Sequence, residues 1–244
     1  MLPHMLEDNL DKYISGSGSS REKIRLATRG AREVIVYSSA MDGLGTPTSD
    51  LDIYAISAPA TSGEGRITGR EAGPQRDLDV EWWDLPEITR ICDAARACRA
   101  RLDDLKVMHR MQAGIVLTAA YPAEARKMAG SIQLQRPVIT SLSLLADDEV
   151  RTHDGFMVMG DWQAGLLAAR RAATYTAMAW CASQGRLLFK EKWLMTVLTR
   201  SWPEMAVKYW QAMSLSGERD VPVTLEFAVR LRNLLGQQDG TVAR

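Results

Sequence analysis

The sequence is short of several things, and each shortage excludes a class. No run of apolar residues approaches the roughly 20 needed to span a bilayer, so no membrane helix is expected. Cysteine is scarce: Cys92, Cys98 and Cys181 are the three in 244 residues. An odd number in apolar surroundings excludes a disulfide scaffold and reads as reduced thiols in a cytoplasmic protein. Without a Cys-x-x-Cys pair, zinc is not expected either. There is no surplus of charge of either sign, with 30 Lys+Arg against 30 Asp+Glu. Long nucleic acid is therefore not the expected partner, because that binding leans on phosphate neutralisation. Met1 to Leu10 carries Glu7 and Asp8 and lacks a cationic segment leading into an apolar one, so it is not expected to be a signal peptide. What remains is 46% hydrophobic and 25% charged, the composition of a globular chain with a sizeable core in one or two domains.

The charge balances only on average. Through Asp84 the chain holds 14 acidic and 9 basic residues, a net of −5, and the rest holds 16 and 21, a net of +5. Scattered surface charge explains such a split as well as an acidic half facing a basic half across a shared site.

Hydrophobic periodicity divides the chain in a similar place. Leu6 to Ile14 reads as a helix, Ser15 to Gly18 as a flexible break, and a second helix runs from a Ser19 or Ser20 cap to about Gly30. Glu33 to Tyr37 is a β-branched strand, Ser38 to Ser49 a loop, and Leu51 to Ser57 a strand. Ala58 to Gln75, rich in Gly, Pro, Ser and Thr, reads as a flexible loop before a third strand, Asp77 to Trp83. From Asp84 the pattern turns helical. One run carries Ile88, Ile91, Cys92, Ala95, Cys98, Leu102 and Leu105, and further amphipathic segments cover about 122–132, 160–184, 190–200, 203–214 and 221–236. The expected organisation is a small α/β unit followed by a helical remainder, with the boundary near residue 105.

The densest polar information lies between the first two strands. Asp50 and Asp52 are two apart, so their side chains project from one face of a strand. Carboxylates that close repel unless a cation or proton intervenes, and magnesium prefers oxygen donors. Asp79 on the next strand could complete the group, since neighbouring strands lie about 5 Å apart. Ser38 and Ser39 follow a strand and precede a glycine turn, where hydroxyls and N–H groups can face an anion. A solitary Asp-x-Asp means little; the ordered set of strand, serine pair, glycine turn and carboxylates points to phosphoryl chemistry. Asp77 and Glu81 share the face of Asp79, and Glu81 is the second candidate for a general base. His4, His109 and His153 show no ligand spacing, so structural or surface roles are expected. Trp82 and Trp83 flank the acidic strand and could stack on a ring.

The runs Ser38-Ser39-Ala40-Met41-Asp42-Gly43 and Thr48-Ser49-Asp50-Leu51-Asp52-Ile53 resemble the active-site signature of the polymerase-beta-like nucleotidyltransferase superfamily. Its pattern is Gly-Ser, a short glycine-containing stretch, Asp-x-Asp and a third carboxylate on a later strand; here Ser38 stands where the superfamily has glycine. A nearer likeness is to the aminoglycoside adenylyltransferases that modify streptomycin and spectinomycin. Arg76-Asp77-Leu78-Asp79-Val80 is similar to the segment carrying their third acidic residue and catalytic base, with Asp79 in place of their Glu. Gly185-Arg186-Leu187-Leu188-Phe189-Lys190-Glu191 resembles the helical-domain segment whose lysine contacts the nucleotide phosphates. That implies Lys190, with Lys192 the competitor.

The resemblance implies an α+β protein: a small mixed-sheet nucleotidyltransferase domain over residues 1–105 and a mostly helical domain over 106–244 that closes on substrate and nucleotide. It implies two magnesium ions on Asp50, Asp52 and Asp79, and a nucleoside triphosphate, ATP in the first instance, held by Ser38, Ser39, Asp50 and Lys190. The implied reaction moves a nucleoside monophosphate onto a hydroxyl of a small-molecule acceptor, as in antibiotic modification, and releases pyrophosphate. The alternative is a nucleotidyltransferase-like protein that modifies or docks a partner protein or RNA, as in toxin–antitoxin pairs.

Overall fold

A strand such as Glu33–Tyr37, apolar on both of its alternating sides, belongs in a sheet covered on both faces. The computed structural model describes residues 18–45, 49–57, 66–71, 78–119 and 123–239, and places the strand in such a sheet. Two compact units are present. The first comprises Met1–Arg96 and Asp104–Gln133, the second Ala97–Asp103 and Leu134–Arg244.

The first unit runs α1 (Gly18–Ala27), β1 (Glu33–Tyr37), β2 (Leu51–Ile56), β3 (Arg66–Glu71), β4 (Leu78–Trp83), α2 (Leu85–Arg96), α3 (Leu102–Ala113), β5 (Ile115–Ala119) and α4 (Glu124–Gly130). The five strands form one sheet in the order β3-β4-β2-β1-β5. β2 and β4 are parallel and the other neighbours antiparallel, which makes the sheet mixed. Val34, Val36, Leu51, Ile53, Leu78 and Val80 share one core with Ile24 of α1 and Ile115 of β5. Aliphatic side chains buried this way contribute about 1.5–3 kcal/mol each. By alternation, the opposite face takes Tyr37, Asp52, Tyr54, Asp79, Glu81 and Trp83.

The second unit is helical. It runs α5 (Gln135–Val158), α6 (Trp162–Ser183), a 3₁₀ turn at Glu191–Trp193, α7 (Leu194–Ser201), α8 (Pro203–Ser214), a 3₁₀ turn at Glu218–Asp220 and α9 (Val221–Asp239). α6 is its centre, lying along α5 and packing against α9. Its buried face is made of small residues, among them Ala169, Ala172, Ala173, Ala177 and Ala182, which lets neighbouring helices approach closely. Asp161 caps it, its carboxylate accepting from the Ala164 N–H at 3.0 Å. No helix among the described residues is long and apolar enough to cross a membrane.

The α+β class is the one expected, with several corrections in detail. The loop expected over Ala58–Gln75 contains β3, an edge strand paired with β4. The chain returns to the sheet after Asp84, because Gly114 turns α3 into β5 alongside β1. Residue 105 therefore falls inside α3, and the first unit runs on to Gln133. The single helical run expected from Asp84 to Leu105 is two helices, broken where Cys98 takes φ of 52°. The long helix α5 carries Pro137, Ser141, Ser143 and His153 on its buried side, which blurs its apolar stripe. The expected helix at Leu6–Ile14, the Thr46-Pro47-Thr48 stretch and Arg76-Asp77 lie outside the described residues.

Candidate active site

The turn that leaves β1 is closed by its own backbone. The Met41 N–H donates to the Ser38 carbonyl at 2.9 Å, the Gly43 N–H to Ala40 at 3.1 Å, and the Leu44 and Gly45 N–H groups to Ser39 at 3.0 and 2.9 Å. Two glycines make this possible. Gly43 has φ of 71°, and a Cβ at Gly45 would stand 2.4 Å from the Ala40 nitrogen and 2.6 Å from Ser39 Oγ. Ser38 is fully buried and its Oγ accepts from the Ala40 N–H at 3.4 Å, so its place is inside the turn. Ser39 is half-buried. Five N–H groups of the turn are thus engaged internally.

The parallel pairing of β2 with β4 sets Asp52 opposite Asp79 and Tyr54 opposite Glu81. β1 places Tyr37 opposite Asp52, and β3 places Arg70 opposite Asp79. Across the sheet the rung reads Arg70, Asp79, Asp52, Tyr37. Asp52 and Asp79 are half-buried, whereas Asp50 sits just before the strand and is exposed. The two aspartates that meet are therefore Asp52 and Asp79, and Asp50 stands at the rim. Glu81 accepts from the Trp83 indole N–H at 3.2 Å. Trp83 is only 2% exposed, so it supports Glu81 from the core rather than lining an open site.

The principal residue that sequence reasoning missed is Arg110, on α3. Its Nη1 donates to Asp52 Oδ1 at 2.6 Å and to the Tyr54 hydroxyl at 3.0 Å, and its guanidinium lies 5.3 Å from the centre of the Tyr37 ring. The ion pair is shielded, with side-chain exposures of 8% and 16%. Burial opposes the guanidinium charge, but Tyr54 and Asp52 outweigh it and hold the group above the usual arginine range. Burial likewise pushes both Tyr37 and Tyr54 far up, so both are neutral phenols. The signal was present in the sequence: an arginine on the stripe of a helix whose other buried members are Leu105, Val107, Met108 and Met111.

Beside it, the Asp42 carboxylate gathers two donors. Its Oδ2 accepts from the Tyr37 hydroxyl at 2.6 Å and lies 2.9 Å from His109 Nε2. His109 thus has a structural role, one of the two expected for it, and ties α3 to the serine turn. The turn and the Asp52 side of β2 are linked to one helix through two consecutive residues, His109 and Arg110.

Hard oxygen donors on adjacent strands suit magnesium in kind. Among the described residues, however, no three His, Cys, Asp or Glu side chains are gathered as a metal site. One oxygen of Asp52 already faces a cation, the Arg110 guanidinium. Of the three aspartates, Asp52 is therefore already ion-paired to Arg110.

Lys190 belongs to the second unit, where it is exposed and precedes the 3₁₀ turn at Glu191–Trp193. The Nζ of Lys192 lies 4.9 Å from the centre of the Trp193 ring, which engages it locally.

No protein-family model matches the chain, and no curated protein matches it either. Among solved structures, a nucleotidyltransferase-like protein from Exiguobacterium sibiricum 255-15 is similar, with a TM-score of 0.50 at 12% identity over 86% of this chain and 71% of that chain. At that identity the likeness is one of fold. The chain has an α+β fold similar to that of this nucleotidyltransferase-like protein.

Proposed function

We propose that the protein is a nucleotidyltransferase that moves a nucleoside monophosphate, AMP from ATP, onto a hydroxyl of a small-molecule acceptor. The observation that carries this reading is the rung on which Asp52 meets Asp79 across parallel strands, with the Ser38–Gly45 turn leaving the neighbouring strand. The nucleotidyltransferase-like fold supports it. In the reaction the acceptor oxygen bonds to the α-phosphorus, the bond from that phosphorus to the β-bridging oxygen breaks, and pyrophosphate leaves. Asp79 receives the acceptor's proton; Glu81, held by Trp83, stands two residues along the same strand. Ser39 and Lys190 contact the phosphates. Asp50, Asp52 and Asp79 would hold magnesium, which when bound neutralises phosphate charge that the carboxylates would otherwise repel. Catalysis is then mostly positioning and charge neutralisation.

The test is transfer of label from α-phosphate-labelled ATP, with magnesium, to three acceptor pools: polar small molecules including streptomycin and spectinomycin, purified proteins, and total RNA. Label on a small molecule with matching pyrophosphate release is the expected result. Label on protein or RNA instead would favour the toxin–antitoxin type of activity. No transfer to any pool and no triphosphate binding would overturn the reading.

A further inference from the structure

We propose that the helical unit binds a small organic oxyanion, a carboxylate or phosphate carried on an apolar body, in a cleft at the start of α3. The site goes beyond the transfer reaction proposed above and does not depend on it.

The cleft encloses about 500 Å³, a volume in the range of small-molecule sites. The chain between α2 and α3, the helices α5 and α6, and the segment after α6 line it, and every lining residue belongs to the second unit. Leu145, Met178 and Phe189 supply an apolar wall. Met178 is 1% exposed, so that wall is continuous with the helical core, whereas Leu144, also in the lining, is left 57% exposed.

Two arginines bring the charge. Arg99 and Arg101 flank the buried Ala100, just after Cys98 turns the chain with φ of 52°, a conformation that few residues with a Cβ adopt. Both are exposed, and neither forms an ion pair or a side-chain hydrogen bond with a described residue. The carboxylates of the cleft are already answered. Asp148 pairs with Arg151, Glu191 accepts from the Tyr175 hydroxyl, and Asp103 has a partner of its own. Burial and Glu191 hold the Tyr175 phenol above its usual range, so it remains a neutral donor. The unmet groups are thus cationic donors beside an apolar wall. A guanidinium is a planar fork that matches the paired oxygens of a carboxylate or phosphate. The apolar part of the ligand gains by leaving water against Met178 and Phe189. An ammonium ligand would have to compete with the donors that the carboxylates already have.

Isothermal titration calorimetry on the full chain tests this with phenyl phosphate, phenylacetate, benzylamine and inorganic phosphate. Wild type is compared with the double variant Arg99→Gln/Arg101→Gln, whose positions are exposed. At least one aryl anion is expected to bind one to a chain, tighter than benzylamine or inorganic phosphate, and to lose about tenfold or more in the double variant. The tighter of the two aryl anions names the oxyanion. Equal binding of benzylamine would overturn the assignment of charge, and equal binding of inorganic phosphate would overturn the apolar part. Unchanged binding by the double variant, or no binding of either aryl anion up to about 10 mM, would overturn the site. Should the double variant fail to fold by circular dichroism, Leu144→Asp decides. It places a negative charge on an exposed lining position, so aryl-anion binding weakened by about threefold or more supports the proposal, and unchanged binding overturns it. No arm reads nucleotide transfer, so failure here leaves the transferase reading standing.

Discussion

Polar groups are buried in both units, but the sheet unit holds the shielded ion pair, Arg110 with Asp52. In the helical unit the buried hydroxyls close on their own helix or on a neighbouring one: Thr174 also meets the Tyr209 hydroxyl at 2.9 Å, and Thr224 donates to the Ala212 carbonyl at 3.0 Å. Thr174 and Thr176 donate to the carbonyls four residues back, Arg170 at 2.9 Å and Ala172 at 2.8 Å. In the sheet unit the buried polar groups reach across the chain. Arg110 meets Asp52 over a separation of 58 residues, and Glu33 accepts the N–H groups of Ala125 and Arg126 over 92 and 93. A hydroxyl satisfied within its own helix is carried along wherever the helix packs and says nothing about chemistry. A charge satisfied across the fold holds two distant elements in register, and the charges of the candidate site are of that kind. The difference locates the chemistry better than the acidic and basic halves of the composition do.

The sharpest way to test the contrast is Asp52→Asn. Transfer should fall by a factor of about 100 or more, the scale for losing a preorganised charge. Stability should fall too, by about 3 kcal/mol in urea denaturation, because the change orphans a guanidinium that is 7% exposed. The spacing of Asp50 and Asp52 alone suggests relief of repulsion and a higher melting temperature; a rise would mean that Arg110 does not pair with Asp52 in solution.

The helical unit should fail through volume instead of charge. Ala172 is fully buried beside Ala173 and Ala228, so Ala172→Leu overpacks that contact and should cost about 1–3 kcal/mol. Mn²⁺ binding by whatever chain remains folded should be unchanged. A parallel loss of ion binding per folded chain would show that the two units are not separable in this way.

Lys190→Ala probes whether the second unit contributes a charge after all. If it contacts the β- and γ-phosphates, the triphosphate KM should rise about tenfold and kcat fall as well, since part of the interaction exists only as pyrophosphate leaves. Normal kinetics for Lys190→Ala with impaired Lys192→Ala would move the role two residues along. Normal kinetics for both would confine the phosphate contacts to the sheet unit.

The smallest effect belongs to Thr176→Val. Its hydroxyl bonds a carbonyl that keeps its helical partner, so the thermal midpoint should correspond to a change below about 1 kcal/mol. A loss as large as that of Asp52→Asn would erase the distinction drawn between the units.

The strands β1, β2 and β4 were legible because period-two alternation is a local property, visible in Val34 and Val36 or in Leu78 and Val80. The facing of Asp52 and Asp79 away from the aliphatic core followed from the same rule. β3 and β5 were not legible. β3 is an edge strand with Gly69 in its middle, and β5 is short and follows directly on a helix. Both exist because a partner strand offers its hydrogen bonds, and no local pattern records a partner.

What the sequence by itself determined is the set of local choices: which stretches alternate, where the turn after β1 needs Gly43, and which carboxylates share a face. Only the tertiary structure decided which charge meets which. The pairing of β2 with β4 chose Asp79 as the neighbour of Asp52, and the packing of α3 over that face delivered Arg110 to it. Sequence periodicity fixes the direction of a side chain relative to its own element, whereas an ion pair depends on the relative placement of two elements. That placement is set by the packing of the whole unit, so Arg110 read in isolation is one more basic residue on a helix.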